Sequence, residues 1–296
     1  MECRGVFAPI PTPFEDERVD LGRLRTALTR WVATPLAGFV VLGSNGEAVF
    51  LDEEESNSVV AEARQVVPTG RLLIVGTGRE STSGTIAATK RAAALGADAV
   101  LVRTPGFFKA QMTADAFVRH YTAVADASPV PVLLYNFTAV TGVNLPLAAV
   151  SRLASHPNII GMKESGSDVA QIAELVSVPS FCVLAGSTAS FYPSLCLGAR
   201  GGILAVACVL PDACVRLYEL TMAGQHDEAR RLHYRLLPAA RLLGSTYGVP
   251  GLKAALQLAG WDVGLPRLPL MPLSGAALDA LRDALAGFNV GVAAVR

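Results

Sequence analysis

A chain of 296 residues with 25 basic and 25 acidic side chains carries no net field to draw nucleic acid or an anionic membrane. Its apolar share of 51% against 17% charged residues excludes a disordered chain, and its length suits one large α/β barrel or two modest domains. No uninterrupted apolar run of about 18 residues or more occurs, so no membrane span is expected despite the high mean hydropathy. In chain order, Gly5-Val6-Phe7-Ala8-Pro9 reads as a short apolar strand closed by proline. Leu21 to Trp31 then reads as a helix with Asp20 at its N-cap. Gly38 to Leu42 is strand-like and runs into Gly43-Ser44-Asn45-Gly46-Glu47, and Asp52 to Val66 follows as a helix with an acidic first turn. Further strands are predicted at Leu72 to Gly76, Ala99 to Val102, Val130 to Tyr135, Ile159 to Lys163, Phe181 to Leu184 and Gly202 to Ala207. Between and after them helices are predicted at Ser81 to Leu95, Thr113 to Ala125, Leu145 to Ala154, Asp168 to Val176, Ser190 to Leu197 and Asp212 to Met222.

Eight apolar strands alternating with eight helices is the pattern of a (β/α)8 TIM barrel. A doubly wound sheet has fewer units and favours GxGxxG in its first turn. That fingerprint is missing, and Gly76-Thr77-Gly78 is too short to replace it. Beyond Gly224 the helical patterns at Asp227 to Leu243, Gly251 to Leu258 and Gly275 to Leu285 have no strands between them. The expected organisation is a catalytic barrel over residues 1–223 and a C-terminal helical extension over 224–296. Leu265 to Pro272 reads as a proline-punctuated connection and the tail after Gly287 as loosely held.

The carboxyl ends of barrel strands converge on one mouth, where chemistry is placed. Lys163 ends strand six there, and burial of a strand end favours the neutral amine that attacks a ketone to form a Schiff base. The plainer reading is a lysine that closes a strand and reaches solvent on its flexible stem. Tyr135 ends the adjacent strand five; it is either a packed amphipathic ring or a proton shuttle for that amine. Gly43-Ser44-Asn45-Gly46 is either a plain Gly/Asn turn or an anion-binding one, with Ser44, Asn45 and the backbone around Gly46 as donors. Ser165, just past Lys163, is a further candidate to hold a carboxylate. Strand four leads into Thr104-Pro105-Gly106-Phe107-Phe108, an aromatic loop suited to a pocket wall or a subunit interface. His120, His156, His226 and His233 show no HExxH or paired-carboxylate spacing, so no metal is expected. Cys3, Cys182, Cys196, Cys208 and Cys214 have no CxxC or zinc spacing; four sit in apolar company as core side chains suited to a reducing compartment. The N-terminus lacks the basic and apolar regions of a signal peptide, and a soluble intracellular protein is expected.

Taken together, Gly43-Ser44-Asn45-Gly46-Glu47, Tyr135-Asn136, Thr141-Gly142 and Gly161-Met162-Lys163-Glu164-Ser165 resemble the dihydrodipicolinate synthase and N-acetylneuraminate lyase family of class I, Schiff-base aldolases. The resemblance covers nearly the whole chain. It implies a (β/α)8 barrel with a three-helix C-terminal region, assembled as a homotetramer that is a dimer of dimers. It also implies an imine between Lys163 and a small-molecule 2-oxo acid such as pyruvate, with no cofactor, no nucleic-acid partner and no membrane partner. Tyr135 takes the place of the family's proton-transfer tyrosine, and Ser44 and Asn45 that of its 2-oxo-acid carboxylate site. Two positions depart from the pattern: Phe108 stands where members commonly place a loop tyrosine, and Val140 where the synthases carry an arginine for the second substrate's carboxylate. Both are pocket or interface wall positions, and both argue against lysine biosynthesis. Within the family, Gly38-Phe39-Val40-Val41, His120-Tyr121, Ser155-His156-Pro157-Asn158-Ile159 and Gly248-Val249-Pro250-Gly251-Leu252-Lys253 are similar to 4-hydroxy-2-oxoglutarate aldolases. The implied reaction is cleavage of 4-hydroxy-2-oxoglutarate to pyruvate and glyoxylate. A 2-oxo-3-deoxy sugar-acid aldolase or dehydratase, or a synthase with a rebuilt pocket, stands as the alternative. Outside enzymes the alternative is an inactive barrel used in regulation or assembly. The lack of a mitochondrial-style leader implies a cytoplasmic form.

Overall fold

Parallel strands β1 (Gly5–Pro9), β2 (Gly38–Val41), β3 (Leu72–Gly76), β4 (Ala99–Arg103), β5 (Val132–Asn136), β6 (Ile159–Glu164), β7 (Cys182–Ala185) and β8 (Gly201–Ile203) pair in sequence order. β8 returns to β1 and closes the barrel. This is a computed structural model, and it describes residues 3–288. The expectation for the tail after Gly287 falls almost wholly outside those residues.

Alternation along each strand sorts its side chains between two cores. Phe7, Val40, Ile74, Leu101, Leu133, Tyr135, Leu184 and Ile203 fill the barrel interior. Their neighbours Val6, Phe39, Val41, Leu73, Val75, Val100, Val102, Leu134, Met162 and Val183 face outward, into the layer covered by helices. Strands buried on both faces need continuous apolar runs, which is why hydropathy alone located them.

Helix starts follow local chemistry. The carboxylate of Asp20 caps Leu21–Val32 by accepting from the Arg23 N–H, and Asp52 and Glu55 form a reciprocal capping box on Glu53–Val66. Ser81, Thr113, Asp168 and Ser187 cap the helices Thr82–Ala94, Ala114–Ala127, Val169–Val176 and Thr188–Leu197.

The run predicted as strand eight through Ala207 stops at Ile203. The Leu204 N–H still bonds the Phe7 carbonyl at 3.0 Å, but the chain then turns into the short helix Val206–Val209. Ala205-Val206-Ala207 is buried in either conformation, so apolarity could not separate the two. A small hairpin, Phe14–Glu15 with Arg18–Val19, was not predicted.

After Pro211–Met222 come His226–Arg241, a π-helical turn at Leu242–Thr246, Gly248–Leu258 and Ala276–Leu285. These C-terminal helices pack on the barrel's helical layer. Trp31 stacks on Trp261 at 4.6 Å between ring centroids and donates its indole N–H to the Cys208 carbonyl at 2.8 Å.

Candidate active site

β5 and β6 pair so that Tyr135 stands directly opposite Lys163, and Lys163 in turn opposite Leu184 on β7. Tyr135 and Leu184 belong to the interior cluster, so the amine shares their level at the carboxyl end of the barrel. Both side chains are enclosed, with 6% of Lys163 and 4% of Tyr135 exposed. The Lys163 amine donates to the Tyr135 hydroxyl at 3.4 Å and lies 4.5 Å from the centre of its ring. On its other side the Tyr135 hydroxyl meets Ser44 Oγ at 3.3 Å. Amine, phenol and serine hydroxyl therefore form one hydrogen-bonded line from β6 to the turn after β2. Such a line can carry a proton to and from a group bound at the amine.

The turn that supplies Ser44 is self-bonded. The Gly46 N–H donates to the Gly43 carbonyl and the Glu47 N–H to the Ser44 carbonyl, both at 3.1 Å, while the Thr12 hydroxyl holds the Gly46 carbonyl at 2.7 Å. Gly46 thus shapes the turn, since its N–H is already engaged. Ser44 and Asn45 stay half-buried at the tip.

Ser165 continues β6 and donates its N–H to the Asn136 carbonyl at 3.0 Å. Its Oγ is buried without a hydrogen-bond partner among the described residues. Gly186 is what makes room here: a Cβ at that position would collide with Ser165 Oγ and crowd the Lys163 side chain. This puts a buried hydroxyl, able to donate a hydrogen bond, beside the Lys163 side chain.

One residue from each of Tyr135 and Lys163, the chain builds a second polar pair on the outer face. Glu164 is buried and accepts from Asn136 Nδ2 at 2.8 Å, Gln171 Nε2 at 3.1 Å and the Gly166 N–H at 2.5 Å. Burial pushes its carboxyl above the usual range, against the opposing effect of those donors. This brace fixes the ends of β5 and β6 relative to each other. The reading from sequence had not assigned it; an acid directly after the strand-end lysine was the available signal.

Phe108 and Val140 lie apart from that line, 67% and 63% exposed. Phe107 stands edge-on to Phe108 with ring centroids 5.1 Å apart. Their loop is tied down by Glu80, whose carboxylate accepts from the Gly106 and Phe107 N–H groups at 3.0 and 2.9 Å and pairs with Arg103 at 2.7 Å. Among the described residues no three His, Cys, Asp or Glu side chains gather as a metal site requires, and no helix is long and apolar enough to cross a membrane.

A closed (β/α)8 barrel with a lysine, a tyrosine and a hydroxyl in line at its carboxyl rim defines a class: barrels equipped for carbonyl chemistry at an amine. The comparisons give the family. The model of the dihydrodipicolinate synthetase family matches residues 2–287, and the chain belongs to that family. It is 35% identical over 288 residues to a 4-hydroxy-tetrahydrodipicolinate synthase of Exiguobacterium, covering 96% of this chain and 98% of that one. A probable mitochondrial 4-hydroxy-2-oxoglutarate aldolase of Emericella nidulans is 38% identical over 288 residues, covering 95% of this chain and 93% of that protein. Among solved structures, the chloride-inhibited dihydrodipicolinate synthase of Acinetobacter baumannii complexed with pyruvate superposes with a TM-score of 0.93 at 31% identity, over 99% of this chain and 100% of that one. The chain is accordingly an enzyme of the pyruvate-dependent, class I aldolase and lyase type, which removes the reading as an inactive scaffold.

Proposed function

We propose that the chain is a Schiff-base aldolase that cleaves 4-hydroxy-2-oxoglutarate to pyruvate and glyoxylate, in a catalytic barrel of residues 1–223 carrying a helical region of 224–296. The observation that carries this reading is the line from Lys163 through Tyr135 to Ser44. Lys163, in its unprotonated form, attacks the C2 carbonyl, and Tyr135 delivers the proton with which the carbinolamine loses water. The iminium then accepts the electron pair of the C3–C4 bond as the 4-hydroxyl gives its proton to the phenolate that dehydration left on Tyr135, releasing glyoxylate and leaving an enamine. Protonation at C3 and hydrolysis of the imine yield pyruvate and restore the amine. No cofactor enters. Ser44 and Asn45 hold the C1 carboxylate so that the ketone faces the amine, and Ser165 Oγ donates to the substrate beside it.

The choice of substrate rests on what stands at the mouth. Val140 presents exposed apolar surface where the synthases carry an arginine for the second substrate's carboxylate. The likeness to the Emericella aldolase points the same way. The likeness to synthases supports a second reading, a synthase with a rebuilt pocket. Incubation with 4-hydroxy-2-oxoglutarate, a 2-oxo-3-deoxy sugar acid and pyruvate with aspartate semialdehyde separates them. Glyoxylate from the first is expected; preferential turnover of either of the others overturns the assignment.

Exposed Phe107 and Phe108 suit burial against a second copy, in a homotetramer built as a dimer of dimers. Five cysteines without disulfides suit the cytoplasm.

A further inference from the structure

The turn that presents Ser44 and Asn45 begins and ends on backbone that L-residues rarely adopt. Leu42 has φ 56° and Glu47 φ 53°, both in the left-handed region. Such residues persist only where their surroundings over-determine them. At Leu42 the restraint is local: its carbonyl lies so close to Gly76 that any Cβ there would collide with it.

At Glu47 the restraint comes from the far end of the chain. Lys253, on the helix Gly248–Leu258, places its amine 2.7 Å from Glu47 Oε1, with 1% and 0% of the two side chains exposed. The Arg267 N–H donates to Glu47 Oε2 at 2.9 Å. Lys253 also donates to the Leu265 carbonyl at 2.8 Å and lies 4.4 Å from the centre of the Phe14 ring. Burial lowers the affinity of this amine for its proton, and Glu47 opposes that effect. A buried ion pair is a poor way to gain stability, because apolar side chains of similar volume often serve as well or better. What it adds is direction: one carboxylate, at the end of a strained turn, held from two sides.

We propose that Lys253 is a positioning residue for the substrate-carboxylate turn. By holding Glu47 it fixes where Ser44 and Asn45 stand relative to Lys163 and Tyr135, and the C-terminal helices thereby set the affinity for the 2-oxo acid. This rests on Ser44 and Asn45 being the carboxylate donors.

The test is the pyruvate dependence of borohydride trapping at Lys163, followed by mass spectrometry on the full-length protein. Lys253→Met is expected to raise the half-saturating pyruvate concentration on the order of tenfold, with a smaller change in the limiting trapping rate. Arg25→Met, which breaks the remote Arg25–Glu62 pair of 2.5 Å, is expected to leave half-saturation unchanged. Since Lys253→Met strands a buried carboxylate, the paired variant Lys253→Met with Glu47→Gln removes both charges yet keeps an acceptor for Arg267. It is expected to fold and to show the same shift. A folded paired variant with wild-type half-saturation overturns the inference alone. A wild-type protein that traps no pyruvate overturns the reading of the site, and the inference with it.

Discussion

Replacing Tyr135 by phenylalanine keeps the ring that stacks 5.9 Å from Phe137 and removes only the hydroxyl between Lys163 and Ser44. A proton shuttle lost in this way lowers kcat by about 10²–10⁴-fold, while the urea midpoint should hardly move. Wild-type turnover in Tyr135→Phe would remove the tyrosine from the mechanism. His120 offers a residue-scale test of a different kind. It is buried, its Nδ1 lies 2.9 Å from the Thr82 hydroxyl, and burial pushes the imidazole down to about 4 from 6.5, against a smaller opposing effect of Glu80. The folded chain therefore refuses a proton that the unfolded chain accepts. The associated stability is present in full above pH 6.5 and is lost as pH falls toward 4, about 3 kcal/mol in all. Urea unfolding of His120→Gln should show a shallower loss between those pH values than wild type; equal slopes would contradict the assignment. The meeting of Lys163 and Tyr135 at the barrel's carboxyl end was legible in the sequence because each stands one residue from the end of an apolar strand, where a polar side chain needs a reason. Lys253 was not, because one lysine in a helix can reach solvent from most positions, and only the fold shows that this one faces Glu47.

At the scale of elements, the capping box of Asp52 and Glu55 is a stabilising contact outside the line from Lys163 to Ser44. Asp52→Ala should lower stability by about 1 kcal/mol with unchanged kinetics, as read from urea midpoints alongside turnover. A loss of activity greater than the loss of folded protein would mean that this helix start also shapes the neighbouring turn. The eight strands were readable because parallel strands buried on both faces must be continuously apolar. The same rule misled at Leu204 to Ala207, where burial is satisfied by a helical turn. The hairpin Phe14–Glu15 with Arg18–Val19 escaped because paired strands of two residues leave no period to detect.

At the scale of the molecule, the C-terminal helices are joined to the site by charge as well as by apolar contact. Lys253 and the Arg267 backbone grip Glu47, and Arg267 pairs with Glu55 at 2.6 Å. The exposed Phe107 and Phe108, 77% and 67% accessible in the single chain, make a prediction about assembly. Sedimentation should show a tetramer for wild type and a smaller species for Phe107→Asp with Phe108→Asp, with the monomer's circular dichroism retained. An unchanged tetramer would place the interface elsewhere. The central claim, that chemistry proceeds through an imine on Lys163, has a direct test because the chain holds four lysines, Lys90, Lys109, Lys163 and Lys253. Reduction with borohydride in the presence of pyruvate, followed by peptide mapping, should find one reduced pyruvate per chain on Lys163 and none in Lys163→Ala. No adduct, or an adduct that persists in Lys163→Ala, would contradict it.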